Sequence, residues 1–265
     1  GFESRLHLFL TACLCQTYGE LYHKARNDPQ QRISEHIIDA ISTRETSFFR
    51  DTTPFELLKH TLLPEVLAQA PRPAPGCTPC LNIWSAACAT GQEAYSIAMI
   101  LKESAVDLSR YRISILGTDI SEAAIAQARA GQYNKVEMAR GLSPERIGRY
   151  FEAVGSSWRV KDELRALVSF RKLNLLSAFR DPGPFDLIFC RNVAIYFAPQ
   201  DRLHLFHRLA ELLRPTGTLL LGATESLQGM GGLYIRRVAD KVPFYQLAVT
   251  AGTRMKELRK PHGAT

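Results

Sequence analysis

The stretch Trp84-Ser85-Ala86-Ala87-Cys88-Ala89-Thr90-Gly91-Gln92-Glu93-Ala94-Tyr95-Ser96-Ile97-Ala98-Met99 decides how the rest of the chain is read. An apolar run at 81–84 enters it, a helical pattern at 95–102 leaves it, and small residues lie between. In a strand-to-helix turn such residues let backbone N–H groups approach a ligand at the positive end of a helix. Glu93, in the first helical turn, would repel a pyrophosphate but suits a cationic, hydroxyl-bearing cofactor. The stretch therefore points to S-adenosylmethionine rather than to a dinucleotide.

Downstream, apolar runs and helical patterns alternate. Strands are expected at 81–84, 112–116, 167–173, 185–190 and 218–221, and helices at 93–102, 122–130 and 200–213. Two further runs, 233–238 and 242–249, read as a closing hairpin. Such alternation predicts an α/β fold, a doubly wound and mostly parallel sheet with one antiparallel edge. The interval 133–166 breaks the rhythm and reads as a small inserted subdomain, with a short helix through Tyr150-Phe151 and a possible strand at Trp158-Arg159-Val160.

Upstream, 5–26 reads as a helix stopped by Asn27-Asp28-Pro29, and 31–41 as a second amphipathic helix. Residues 55–67 are helix-like, with Pro64 expected to break or shorten the element. Pro71, Pro73, Pro75 and Pro79 mark a stiff linker. The expected organisation is a partial helical N-terminal domain at 1–42, then a connecting segment at 43–80 that contributes to the site. The α/β domain spans 81–250 and a tail follows at 251–265. Gly1 in place of a Met reads as a trimmed start.

With 46% hydrophobic and 22% charged residues the composition is that of an ordinary globular protein. No apolar run approaches the roughly 18 residues of a membrane span and no signal peptide is visible, so a cytoplasmic protein without membrane insertion is expected. Thirty-three basic against 26 acidic residues, a net charge of +7, favours an acidic partner without choosing its kind. Cys77-Thr78-Pro79-Cys80 has CxxC spacing, but no second pair stands at zinc-site distance. A linker that happens to hold two thiols is preferred over a redox pair or a metal, and no metal site is expected.

In open α/β sheets ligands bind beyond the carboxyl ends of the strands. Four expected strand ends carry small or polar groups: residues 85–91, Asp119, Asn174 and Arg191-Asn192. Asp119, directly after an apolar strand, is placed to accept hydrogen bonds from ribose hydroxyls, the alternative being a helix N-cap that Ser121 could equally supply. Asn174 offers a donor and an acceptor to an adenine edge, or simply a turn.

Taken together, Thr46-Ser47-Phe48-Phe49-Arg50-Asp51, Trp84-Ser85-Ala86-Ala87-Cys88, Thr90-Gly91 with Glu93 and Tyr95-Ser96 form the first part of a wider pattern. Gly117-Thr118-Asp119-Ile120, Gly183-Pro184-Phe185-Asp186 and Phe189-Cys190-Arg191-Asn192-Val193 with Ile195-Tyr196-Phe197 complete it. The combination, running from about residue 5 to 248, resembles the chemotaxis-receptor methyltransferases of the CheR type. The resemblance implies a class I methyltransferase fold and S-adenosylmethionine as cofactor, leaving S-adenosylhomocysteine as product. It further implies O-methylation of glutamate side chains on the acidic, helical cytoplasmic domain of a chemoreceptor.

By position, the resemblance assigns Thr46 and Arg50 to the methionine end of the cofactor, Glu93 to the first loop and Asp119 to the ribose. Asn174 and Leu175 fall to the adenine side, Arg191-Asn192 to the contact after the fourth strand, and Tyr196 near the transferred methyl. Arg50, Arg191 and Tyr196 are the candidate catalytic residues. Gln92, Ala94, Arg44 and Ala194 depart from common family residues. The N-terminal helical domain reads as shortened by a helix, and the short connection between Phe151 and Trp158 implies no docking of a receptor's C-terminal peptide. A nucleic-acid methyltransferase is the first rival, but Arg191-Asn192-Val193-Ala194 lacks the Pro-Pro turn that suits a base, and no nucleic-acid partner is expected. A non-catalytic cofactor-binding adaptor is the second rival.

Overall fold

A computed structural model gives the fold and describes residues 10, 13–41, 45–69, 77–177, 183–227, 230 and 232–248. The start of the helix expected at 5–26, Arg44, linker residues Pro71, Pro73 and Pro75, and the 251–265 tail lie outside the described residues.

Seven strands form one sheet: β1 (Cys80–Ala86), β2 (Arg112–Asp119), β6 (Val168–Lys172), β7 (Phe185–Cys190), β8 (Leu213–Leu221), β9 (Tyr234–Ala239) and β10 (Val242–Leu247). Their order is β6-β2-β1-β7-β8-β10-β9. β6, β2, β1, β7 and β8 pair parallel, while β10 runs antiparallel to both β8 and β9. This is the expected parallel sheet with an antiparallel edge. The strands alternate their apolar side chains between two cores. Leu81, Ile83, Leu187, Phe189 and Leu220 enter one; Trp84, Ala86, Ile188, Cys190, Leu219 and Leu221 enter the other. Burial on both faces is what parallel strands require.

Before the sheet lie α1 (Tyr18–Arg26), α2 (Arg32–Ile41), α3 (Thr53–Leu57) and α4 (Leu63–Gln69). The single helix expected over 5–26 is corrected here: residues 13–17 form a turn and α1 begins only at Tyr18. Thr17 caps it by accepting the Glu20 N–H at 3.2 Å, and the Glu20 carboxylate accepts the Gln16 N–H at 2.8 Å. The Thr-x-x-Glu pattern of a helix start therefore overrides the apolar periodicity that runs through it. Pro64 does not break its helix either. A π-helical turn at Leu58–Leu62 precedes it, with the Leu63 N–H reaching back to the Leu58 carbonyl, and the widened turn accommodates the proline.

Within the sheet, α5 (Gln92–Glu103) follows β1, α6 (Glu122–Ala130) follows β2 and α10 (Pro199–Leu212) follows β7. β8 begins at Leu213, five residues earlier than expected, and pairs with β7 through an irregularity between Phe185 and Leu187. Between α6 and β6 a small antiparallel sheet of β3 (Gln132–Tyr133), β5 (Ser157–Val160) and β4 (Phe151–Val154) is flanked by α7 (Lys135–Ala139), α8 (Pro144–Tyr150) and α9 (Asp162–Arg165). α1 packs on α2, and α2 packs on α6, with Glu35 pairing with Lys172 of β6 at 2.5 Å and the Ser121 hydroxyl donating to Asp39 at 2.5 Å.

Candidate functional site

The turn from β1 to α5 is built for close approach. Ala87, Ala89 and Gly91 take positive φ of 60°, 47° and 97°, so the backbone coils tightly before the helix starts. At Gly91 a Cβ would stand 2.9 Å from the Ala128 Cβ and 3.1 Å from the Tyr133 hydroxyl, so only glycine fits. Tyr133 donates to the Thr90 carbonyl at 2.8 Å, which ties the turn to the inserted sheet. Asp119, half-buried at the end of β2, accepts the Ala89 N–H at 2.9 Å and the Ser121 N–H at 3.0 Å. Ser121 itself caps α6 through the Ala124 N–H at 3.0 Å. The cap role is thus filled by Ser121, and Asp119 spans the turn and the strand end.

Next to this turn a cluster of three charged side chains, Glu93, Arg191 and Asp51, assembles from three separate segments. Glu93 accepts from the Ser85 hydroxyl at 2.7 Å and from the Arg191 guanidinium at 3.0 Å. Arg191 also donates to the Asp51 carboxylate at 2.7 Å and to the Arg50 carbonyl at 3.0 Å. Its side chain is 1% exposed, stands 5.7 Å from the centre of the Phe55 ring, and leaves a buried Nε without a partner. Arg191 therefore organises the cluster from inside and does not face the cleft. Arg50 sits half-buried at the rim, its guanidinium donating to the Glu45 carbonyl at 3.1 Å.

The segment that brings Arg50 and Asp51 here is anchored by its aromatic pair. Phe48 is fully buried, edge-on to Tyr133 at 4.9 Å and to Phe151 at 5.5 Å. The Phe49 N–H donates to the Ser96 hydroxyl at 3.0 Å, and the Arg146 guanidinium lies 3.9 Å over the Phe49 ring while pairing with Glu103. Half-buried Thr46 heads the same segment.

After β7, Asn192 takes a left-handed φ of 58° and a 3-10 turn, Ala194–Tyr196, follows. Tyr196 is 65% exposed at its end. The Asn174 side chain is occupied in its own turn, accepting the Leu176 N–H at 2.9 Å, so its acceptor serves the backbone. Leu175 is buried, and Arg208 of α10 holds this turn by donating to the Leu175 carbonyl at 2.8 Å.

Three residues that shape the site carry no role in the sequence reading: Asp51, Arg208 and Glu225. Asp51 lies inside a motif that the reading singles out. Glu225 is buried and accepts five backbone N–H groups, from Gly222, Asn192, Val193, Ala194 and Ile195. It follows the end of β8, so the strand-end rule applied to one more strand finds it. Of the thiols, Cys77 is exposed and Cys80 accepts from Arg112 at 3.1 Å, while no metal-holding group of three His, Cys, Asp or Glu exists among the described residues.

A seven-stranded sheet of this order, with a small-residue turn after β1 and an acid at the end of β2, defines the class I S-adenosylmethionine-dependent methyltransferases. The family described as CheR methyltransferase, SAM binding domain matches residues 44–240. A chemotaxis protein methyltransferase of Vibrio parahaemolyticus is 45% identical over 231 residues, covering 86% of this chain and 81% of that protein. Chemotaxis protein methyltransferase Cher2 of Pseudomonas putida is 39% identical over 236 residues, covering 88% and 84%. The chain belongs to the CheR methyltransferase family and uses S-adenosylmethionine. The residues present fit that cofactor: the turn lacks side chains that would fill it, and Asp119 and Glu93 supply acceptors for hydroxyl and ammonium groups.

Proposed function

We propose that this protein methylates glutamate side chains on the cytoplasmic helical domain of a chemoreceptor, forming methyl esters. The names of its relatives support the reading, and one feature of the site carries it: the half-buried Arg50 guanidinium at the rim, which donates to the neutral Glu45 carbonyl at 3.1 Å, while the inner Arg191 is taken up by Asp51 and Glu93. The rim thus presents a cation to whatever approaches the methyl. S-adenosylmethionine brings one net positive charge, so the loaded site favours an anionic acceptor over a neutral base edge.

S-adenosylmethionine would supply a sulfonium methyl as the electrophile for a carboxylate oxygen and would leave as the neutral thioether of S-adenosylhomocysteine. A glutamate carboxylate, with a pKa of about 4.3, is ionised at neutral pH, so the protein need supply no general base. Its residues work by positioning and by excluding water. Thr46 and Arg50 hold the methionine end, Arg50 as a carboxylate fork. Asp119 accepts ribose hydroxyls; Asn174, with its amide donors, Leu175 and Asn192 shape the adenine side and the strand end. Arg191 fixes Glu93 and Asp51 as acceptors, and Tyr196 shapes the acceptor's approach. A receptor partner without nucleic acid, without C-terminal peptide docking and within the cytoplasm completes the reading. No helix among the described residues is long and apolar enough to cross a membrane.

Radiolabelled methyl transfer to a receptor cytoplasmic fragment, with RNA and DNA in parallel, tests this. Base-labile label on the receptor alone is expected; label on nucleic acid would overturn it. Arg50→Ala and Tyr196→Phe are each expected to cut the transfer rate at least tenfold with the thermal midpoint little changed. Full activity in either removes that residue from the mechanism.

A further inference from the structure

Glu225 stands behind the reactive rim. Its Oε1 accepts the N–H groups of Val193 at 3.0 Å, Ala194 at 2.8 Å and Ile195 at 3.3 Å, and its Oε2 those of Asn192 and Gly222 at 2.7 Å each. A buried carboxylate is costly unless such donors meet it, and successive N–H groups converging from a tight turn form an anion-holding nest. Four of the five donors come from the segment between β7 and Tyr196. The left-handed Asn192 and the 3-10 turn turn these N–H groups inward, where without a carboxylate they would be left to compete for water. Gly222 makes room: a Cβ there would meet the Glu225 Oε2 at 2.7 Å and the Asn192 Nδ2 at 2.8 Å. None of the five donors belongs to the cofactor turn at 84–93.

Tyr196 needs such support, because its mostly exposed side chain has little packing to fix it. Its N–H donates to the Val193 carbonyl, at 3.1 Å, inside the clamped segment.

We propose that Glu225 is a positioning residue for methyl transfer, holding the 192–195 backbone so that Tyr196 meets the acceptor, and acting more on turnover than on cofactor affinity, to which the clamped stretch contributes Asn192 alone. The proposal rests on the methyl-transfer reading above. In Glu225→Gln the side-chain amide keeps one acceptor oxygen and turns its NH2 towards backbone donors, so part of the nest is lost.

Three measurements on the full chain test it: methyl transfer to the receptor fragment, calorimetric affinity for S-adenosylhomocysteine, and amide hydrogen exchange. For Glu225→Gln, kcat is expected to fall tenfold or more while the Kd stays within threefold of wild type. Exchange at 192–195 should accelerate at least tenfold and that at 84–93 should not. A folded variant with kcat within twofold of wild type overturns the proposal, as does one whose Kd rises as much as its kcat falls. Should Glu225→Gln not fold, Glu225→Asp keeps the charge but draws the carboxylate back from the nest, and the same split is required of it. If wild type itself fails to methylate the receptor fragment, the functional reading fails. The clamp is then judged on exchange alone, and equal rates at 192–195 in the two proteins overturn it.

Discussion

Asp119 is a framing carboxylate to which the proposed function also gives a ligand. Its hydrogen bonds to the Ala89 and Ser121 N–H groups hold the cofactor turn against the end of β2. Charge-assisted bonds of this kind contribute roughly 1.5–3 kcal/mol each. Asp119→Ala is therefore expected to weaken S-adenosylmethionine binding at least tenfold by calorimetry, about 1.4 kcal/mol, and Asp119→Asn to weaken it less. An unchanged Kd in the alanine variant would take Asp119 out of the cofactor's contacts. The sequence made Asp119 legible because it closes an apolar strand, and Glu93 because it is the one acid in the helical turn that follows the small residues. It left Arg191 half-read. An arginine after a strand looks like a ligand-facing group, and only the fold reveals Asp51, 140 positions away, turning it inward. Glu225 stayed hidden for a related reason: its partners are backbone N–H groups, which have no sequence signature.

At the scale of elements, the segment carrying Thr46, Arg50 and Asp51 is held in unfavourable backbone. Phe49, Asp51 and Thr52 have positive φ of 50°, 63° and 30°, conformations that cost non-glycine residues about 1–3 kcal/mol each. Phe48, wedged between Tyr133 and Phe151, is what keeps the segment there. Phe48→Ala should lower the free energy of unfolding by about 3–5 kcal/mol in urea denaturation. Methyl transfer should fall as well, because Arg50 loses its seat; full activity at native stability would refute the anchor. The main strands and helices were legible because period-two and helical apolar patterns are long there and fully buried. Elements shorter than a periodicity window escaped, among them α7 and β4. The late start of α1 was decided by one hydroxyl and one carboxylate, against an apolar pattern that continued through it.

Across the whole molecule, several buried groups are kept protonated. Burial pushes the Cys88 and Cys190 thiols well above their ordinary 9.0 and the Tyr133 and Tyr234 hydroxyls well above 10.0, and raises Tyr95 to about 12. The unfolded chain ionises these groups first, so above about pH 9 the native state binds more protons and stability falls as pH rises. Their contribution is fully present below pH 9. Urea midpoints should hold steady from pH 7 to 8.5 and then decline towards pH 10.5, and a flat profile would contradict this burial. The contact of α2 with the sheet has a different consequence, for the chain's modularity. Lys172 and Asp119 are register partners on neighbouring strands, and Glu35 reaches the first while Asp39 reaches Ser121, two residues beyond the second. The family match begins at residue 44, after both acids. A dissection of the gene at that homology boundary would thus sever two bonds made beside the end of β2, so the segment defined by kinship is smaller than the unit defined by contact.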